Sequence, residues 1–332
     1  MTAAPAAASP AGQVMVDPLW GPPTQGFLAR VSAGQVGGVI LLGDGWTSES
    51  ATASAIARVQ AAACVHGNGV LVGVDQEGGT VRRLPWAAPA VAAAQMTTPA
   101  RAHAEAAAAA RALRAAGISI DFAPVADVVT SAASFEGTRS FGRDPAQVAG
   151  LVGAFVGGLQ TGGVAGTAKH FPGLGSATAS TDDRPVTIGR GKAFLTARLA
   201  PFRAAISQGV KLVMVASASY PALDPSGTPA LFSKPIVTGL LRGTLGFEGV
   251  VVTDALDTPA LRSQPDVPGR AIAAGVDLLL YSHESPAELG YAQLLRDAKA
   301  SAAIRADLAA AGARIASLKA WLAANGGPLC GR

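Results

Sequence analysis

The chain has 332 residues, of which 49% are hydrophobic and 14% are charged, and its net charge is +4. A chain so apolar and so poor in charge is expected to fold rather than to be disordered, and its length supports a large core. It contains no Lys/Arg run typical of nucleic-acid binding, and no apolar run approaches the roughly 18 residues that a membrane span requires.

The N-terminal segment, MTAAPAAASPAG, lacks the basic and apolar regions of a signal peptide. It resembles the Ala/Pro/Ser tether that follows a removed signal. We therefore expect residues 1–11 to form a flexible tail and residues 12–332 to form the folded domain. A location in the cell envelope or outside the cell is favoured, with the cytoplasm as the alternative.

Eight short apolar runs follow, each typical of a parallel strand that is buried on both faces. They cover residues 13–19, 37–43, 70–76, 118–125, 164–171, 211–217, 249–255 and 276–282. Helices are predicted between and after them at residues 23–33, 50–65, 101–116, 145–161, 192–208, 233–245, 267–274 and 286–323, the last in one or two pieces. This alternation predicts a single-domain α/β fold, a (β/α)8 barrel of the TIM type. The alternative, a doubly wound open sheet, lacks its Gly-rich fingerprint here.

Polar side chains stand where these apolar strands end, which in such a barrel is the functional face. In chain order they are Asp75, Glu77, Arg82, Arg83, Asp127, Arg139, Lys169, His170, Tyr220, Asp254 and His283. Any one of them alone is more simply explained as a loop or capping residue. The set as a whole favours a ligand site, because the chain has so few charged residues.

The chemistry of this set is that of carboxylates beside cations. There is no Cys/His cluster with metal spacing, no phosphate-binding loop and no nucleophile elbow. Carboxylate pairs fit glycoside hydrolysis, in which one carboxylate attacks the anomeric carbon and a second acid protonates the leaving oxygen. Asp254 ends a rigid strand, as a nucleophile requires. Asp182 and Asp183 lie on a loop of small residues, which suits a mobile acid.

The motifs GVDQEGGTVRRL, DFAPVADV, RSFGRDP, KHFPGLG and GFEGVVVTDAL occur in this order. With them the chain resembles the single-domain bacterial β-N-acetylglucosaminidases of glycoside hydrolase family 3, which are linked to cell-wall turnover. The resemblance implies a retaining, exo-acting enzyme that releases terminal β-linked N-acetylglucosamine, needs no metal or organic cofactor, and uses Asp254 as nucleophile. By motif match, the sugar in the first subsite would be held by Asp75, Arg83, Arg139, Lys169 and His170.

One departure from this family bears on the mechanism. The loop after KHFPG usually ends in Asp-Ser-His, whose histidine is the acid/base, whereas this chain has Ser180-Thr181-Asp182. Either Asp182 or Asp183 replaces the histidine, or the acid is lost and the protein binds sugar with weak activity. We favour the first interpretation, because the nucleophile and the sugar-holding residues are intact, although Ser217 and Thr80 also depart from the family pattern.

Other functions stay open at this stage. A β-glucosidase or β-xylosidase would share these motifs. A phosphorylase of the same family is disfavoured, because two aspartates would repel a phosphate acceptor. A barrel lyase could use Lys169 as a Schiff-base amine.

The sequence also bears on binding partners and on the state of the cysteines. We expect a monomer whose partner is a GlcNAc-containing glycan and not a nucleic acid. The two cysteines, Cys64 and Cys330, are either free thiols or one disulfide of an exported protein.

Overall fold

The computed structural model describes residues 9–67, 69–131, 134–327 and 329–330. Its strands are β1 Met15–Leu19, β2 Gly38–Leu41, β3 Leu71–Val74, β4 Gln76–Gly78, β5 Val81–Arg82, β6 Ile120–Asp121, β7 Ala165–Phe171, β8 Leu212–Val215, β9 Val250–Thr253 and β10 Leu279–Leu280. Eight of them pair in parallel in the order β10-β1-β2-β3-β6-β7-β8-β9. A parallel bridge between Val252 and Leu278 closes the ring. The predicted (β/α)8 barrel is therefore confirmed.

The barrel strands are buried along their whole length, which explains why they are continuously apolar. All eight predicted runs contain a barrel strand, although the hydrogen-bonded parts are shorter than the runs. The sequence analysis did not predict the antiparallel hairpin β4–β5, which lies inside the DQEGGTVRR motif.

The α-helices surround the ring. They are α1 Pro10–Gln13, α2 Gln25–Ser32, α3 Glu49–Ala63, α4 Pro99–Ala115, α5 Pro145–Thr161, α6 Lys192–Ala197, α7 Ala200–Ser207, α8 Val267–Ala274, α9 Glu284–Ala300 and α10 Ala302–Ala324. A π-helix covers Pro235–Thr244. Several helices begin as their sequences predict: Asp144, for example, accepts hydrogen bonds from Ala146 and Gln147 at the start of α5, where Pro145 is the first helical residue.

One predicted helix is divided in two, and the stretch predicted as one or two helices forms two. The stretch 192–208 forms α6 and α7, and the stretch 286–323 falls into α9 and α10. Ser301 has extended backbone angles, and its hydroxyl accepts a hydrogen bond from the backbone N–H of Ile304. It therefore caps a new helix, although no proline or glycine marks the break.

Both ends of the described part of the chain contact the body of the barrel. Residues 1–8 of the predicted tail lie outside the described residues, whereas α1 begins at Pro10 and buries Ala11. A disulfide joins Cys64, after α3, to Cys330. Of the two interpretations of the cysteines, the disulfide is the one observed. No helix among the described residues is long and apolar enough to cross a bilayer.

Candidate active site

The carboxyl ends of the barrel strands surround a cavity of about 710 Å³. Seven of the eight predicted site residues line it, namely Asp75, Arg83, Arg139, Lys169, His170, Asp182 and Asp254. The eighth, Asp183, is exposed, as is Asp182, but it is not among the described residues that form the wall. Arg82 and Tyr220, which also stand near strand ends, are not among the residues that line the cavity. Arg82 donates to backbone oxygens of its own loop, and Tyr220 is fully buried.

A network of buried charges forms one wall of this cavity. Lys169 Nζ lies 2.6 Å from both Asp75 Oδ1 and Glu77 Oε1. Arg139 donates two parallel hydrogen bonds to Glu77, of 2.8 Å and 2.7 Å. Glu77 thus holds two cations in place. It comes from hairpin β4–β5, and the sequence analysis gave it no role, although its position inside the DQEGG motif was a usable signal.

The ionisation states in this network follow from its contacts. Burial raises the pKa of Glu77, but the charges of Lys169 and Arg139 outweigh burial and lower it to about 2. Burial also opposes the charge on Lys169, but Asp75 and Glu77 raise the pKa of its ammonium group above the usual value. Lys169 is therefore a charged hydrogen-bond donor, which argues against the Schiff-base lyase, because such an amine must lose its proton to react.

His170 stands beside Lys169 on β7, and the peptide bond between them is cis. Its Nδ1 atom lies 2.8 Å from Asp127 Oδ2 and 3.8 Å from Glu136 Oε1. Burial lowers the pKa of His170, but the charges of Glu136 and Asp127 outweigh burial and raise it to about 9. The imidazolium can therefore donate one hydrogen bond to Asp127 through Nδ1 and another to a ligand through Nε2.

Glu136 is a further buried carboxyl that the sequence analysis missed. Desolvation is the main reason that its pKa is raised to about 7, with the His170 charge opposing the rise. Ligand atoms of Asp127, Glu136 and His170 lie within 4.8 Å of one another, a spacing that a metal ion could bridge. However, Arg139 Nη1 is 3.1 Å from Glu136, and its positive charge opposes a cation there.

Asp254 follows strand β9 directly and is half-buried in the cavity. Its Oδ1 atom accepts a hydrogen bond of 2.8 Å from the backbone N–H of Ala255. The strand and this bond fix the direction of the carboxylate. A rigid mount of this kind suits a group that must attack one atom at one angle.

Asp182 reaches the same cavity from the loop that follows β7. The start of this loop is fixed, since the Tyr220 hydroxyl donates to Gly173 O and the Asp127 carboxylate accepts from Leu174 N. Further along, the backbone N–H of Asp182 donates to Ser180 Oγ over 3.0 Å. Desolvation and, next, the negative charge of Asp254 raise the pKa of Asp182. Asp254 and Asp182 therefore reach the same cavity, the first from a rigid strand end and the second from a loop, where its pKa is raised.

Comparisons with known proteins find related sequences and structures. The model of the glycosyl hydrolase family 3 N-terminal domain matches residues 16–318. A β-hexosaminidase of Xanthomonas campestris is 36% identical over 269 residues, which are 75% of this chain and 77% of that protein.

Two solved structures share the fold. A family 3 β-N-acetylglucosaminidase from Paenibacillus sp. superposes with a TM-score of 0.90 at 32% identity, and the match covers 95% of this chain but 62% of that one. A β-N-acetylhexosaminidase from Beutenbergia cavernae superposes with a TM-score of 0.87 at 34% identity, with 94% and 97% of the two chains covered.

Proposed function

Since the chain belongs to glycosyl hydrolase family 3, we propose that it is a retaining, exo-acting β-N-acetylhexosaminidase. Its substrates would be glycans with a terminal β-linked N-acetylglucosamine, such as peptidoglycan fragments or chitooligosaccharides. Asp254 is the nucleophile and Asp182 is the acid/base. The observation that carries this proposal is the pair of carboxyls in one cavity, of which the loop member has a raised pKa because it is desolvated and faces the other.

In the first step, the ionised Asp254 attacks the anomeric carbon. The bond from this carbon to the leaving oxygen breaks, and the protonated Asp182 transfers its proton to that oxygen. In the second step, the ionised Asp182 takes a proton from water, whose oxygen attacks the same carbon. The bond to Asp254 then breaks and the sugar is released with its original configuration. The raised pKa of Asp182 suits the first step, because the group must still carry its proton.

The charged wall of the cavity holds the sugar in this mechanism. Lys169 and His170 are cationic donors to hydroxyl groups, and Asp75 can accept a hydrogen bond beside them. Arg139, clamped by Glu77, and Arg83 complete the set that faces the ring. Preference for the 2-acetamido group is supported by the names of the relatives, which are hexosaminidases and N-acetylglucosaminidases.

Water is the acceptor that the charges favour over phosphate. A phosphate acceptor would approach the carboxyls of Asp182 and Asp254, which repel an anion. Three of the cations that line the cavity are already paired with carboxylates, namely Lys169, Arg139 and His170. The disulfide Cys64–Cys330 supports action in an oxidising compartment, where peptidoglycan fragments are accessible.

The first test is a panel of aryl β-glycosides on the wild type, with N-acetylglucosaminide, glucoside and xyloside, each with and without phosphate. We expect the N-acetylglucosaminide to be the best substrate and phosphate to have no effect on the products. A 2-fluoro glycoside that forms a slow intermediate should label Asp254. Preference for the glucoside or xyloside, or a sugar phosphate product, would favour the alternatives, and a label on another residue would disprove the nucleophile assignment.

The second test separates the two loop aspartates. Asp182→Ala should lower kcat about 10² to 10⁴-fold on substrates with poor leaving groups, because proton transfer is lost. Azide, which needs no general base, should restore the rate on an activated substrate and give a glycosyl azide. Asp183→Ala changes the adjacent carboxylate, which does not line the cavity, and should leave the rate close to that of the wild type. If Asp183→Ala is the variant that azide rescues, the assignment to Asp182 is wrong.

A further inference from the structure

The charged wall described above lies on one side of the cavity. The opposite rim is formed by Trp20 after β1, His283 after β10 and Asp257 in the loop after β9, and all three line the same cavity. Because β1 and β10 are paired neighbours in the barrel, these residues meet at one sector, away from the strands β3 and β7 that present Asp75 and Lys169. The first sugar site does not use this rim.

Trp20 has the features of a binding platform. Its side chain is large and mainly apolar, yet 57% of the residue surface is accessible to solvent. The indole is nevertheless held in place: Nε1 donates to Ser282 O over 2.9 Å, and the ring packs so close to Gly43 that a Cβ atom there would lie 2.8 Å from Cε3. A rigid, exposed aromatic ring at a cavity rim is typical of a ligand contact.

His283 adds an oriented polar group beside this ring. The two rings lie 6.5 Å apart between centroids. Asp257, whose side chain is buried, accepts from His283 Nδ1 over 2.7 Å and from the backbone N–H and hydroxyl of Ser282 over 2.8 and 3.0 Å. This arrangement fixes the imidazole, and its Nε2 atom has no hydrogen bond among the residues that the structure describes. Nε2 is therefore free to bind a hydroxyl group.

We propose that Trp20, His283 and Asp257 form a second subsite, which binds the sugar on the leaving-group side of the scissile bond. A pyranose has an apolar C–H face, which matches the indole, and hydroxyl groups at its edge, which match His283 Nε2. The cavity of about 710 Å³ extends from the charged wall past Asp254 to this rim, so one cavity holds both sugars. The inference rests on the proposed function, since it assigns the leaving group of the same reaction.

The test compares two substrates that differ only in the leaving group. The β-linked N-acetylglucosamine disaccharide fills both subsites, whereas N-acetyl-β-glucosaminyl fluoride fills the first alone. Trp20→Ala should lower kcat/KM about 10- to 100-fold for the disaccharide and leave the fluoride nearly unchanged. Trp20→Phe keeps a flat ring and should recover most of the loss. His283→Ala should give a smaller loss, again confined to the disaccharide.

Phe135→Ala provides the matched control. Phe135 is the other exposed aromatic residue that lines the cavity, but its ring lies near Arg139, in the first sugar site. Its loss should affect both substrates alike. The inference is overturned if Trp20→Ala lowers kcat/KM equally for both substrates or for neither. It is also overturned if Phe135→Ala is the variant that lowers kcat/KM for the disaccharide alone.

A binding measurement separates this inference from the proposed function. Calorimetry can be done on the inactive variant Asp254→Asn. Adding Trp20→Ala to it should weaken binding of the disaccharide about 10-fold or more and leave binding of free N-acetylglucosamine unchanged. If this result is found while the wild type hydrolyses neither substrate, the proposed function fails and the subsite stands. If the second substitution does not change disaccharide binding, the subsite fails whatever the wild type hydrolyses.

Discussion

At the residue scale, the candidate site is organised by buried carboxylates that do not themselves react. Glu77 is 3% exposed and pairs with Lys169 and Arg139, two of the cations that line the cavity. Removing one partner of a buried ion pair costs more than the pair contributes, because the remaining charges stay desolvated. The position of these cations therefore depends on one buried carboxylate.

Glu77→Gln should accordingly destabilise the protein by about 3–5 kcal/mol at pH 7 and raise KM. Glu77 has a pKa of about 2 in the fold against 4.5 unperturbed, so its contribution is present above pH 4.5 and is lost as the pH falls towards 2. Urea unfolding at pH 7 and pH 3 should show a large acid loss in the wild type and a smaller one in the variant. Equal acid losses in the two proteins would contradict this account.

The pKa shift of His170 has the opposite direction to that of Glu77, so its contribution to stability changes with pH in the opposite sense. Its pKa of about 9 in the fold exceeds the usual 6.5, so its stabilising contribution is complete below pH 6.5 and disappears as the pH rises through 9. Glu136→Gln removes a negative charge close to this ring and should lower the pKa of His170. NMR titration of the imidazole measures the change directly. If His170 still titrates near pH 9 in the variant, Asp127 alone sustains its charge.

At the scale of elements, a different ion cluster ties the amino-terminal side of the barrel together. Asp277, just before β10, is fully buried and accepts from Arg242 of the π-helix over 2.7 Å and from Arg314 of α10 over 2.8 Å. It also accepts from the backbone N–H of Val251 on β9. One carboxylate thus joins two strands and two helices at the end of the barrel opposite the cavity.

Asp277→Asn should lower the free energy of unfolding by about 3–5 kcal/mol, because two arginines lose a buried charge partner. Activity per folded molecule should be unchanged, since the cluster is remote from the cavity. Glu105→Gln is the control, because its ion pair with Arg101 spans 4.0 Å at a more exposed site and should cost under about 1 kcal/mol. Chemical denaturation of the three proteins measures both effects, and similar costs for the two variants would contradict the assignment.

At the scale of the whole molecule, the disulfide Cys64–Cys330 connects residues 266 positions apart in sequence. A bond that closes so long a loop restricts the unfolded chain strongly. The double variant Cys64→Ser/Cys330→Ser should therefore lose about 2–5 kcal/mol of stability, and the wild type should lose the same amount in reductant. The variant should keep its kcat, because the bond is distant from the cavity. Equal denaturation midpoints with and without reductant would show that the bond contributes nothing.

The barrel and most of the site follow from the amino-acid sequence alone. Short, continuously apolar runs that alternate with helices indicate strands buried on both faces, and a closed ring of such strands brings their carboxyl ends to one rim. Asp75, Lys169 and Asp254 can therefore be placed together from their positions in the sequence, because each stands at the end of a run. The sequence allows one or two helices over residues 286–323 but does not place the break at Ser301, because the helical pattern continues through it.

The other features of the site depend on contacts between segments that are distant in sequence. Only the folded chain makes these contacts. They place Asp182 rather than Asp183 on the cavity, because a loop without a periodic pattern gives no direction to its side chains. They bring Glu77, Glu136 and Asp127 around Lys169 and His170, and this burial among charges shifts the pKa values of the buried groups. They also set Trp20 beside His283, which are adjacent only because the first and last strands pair when the barrel closes.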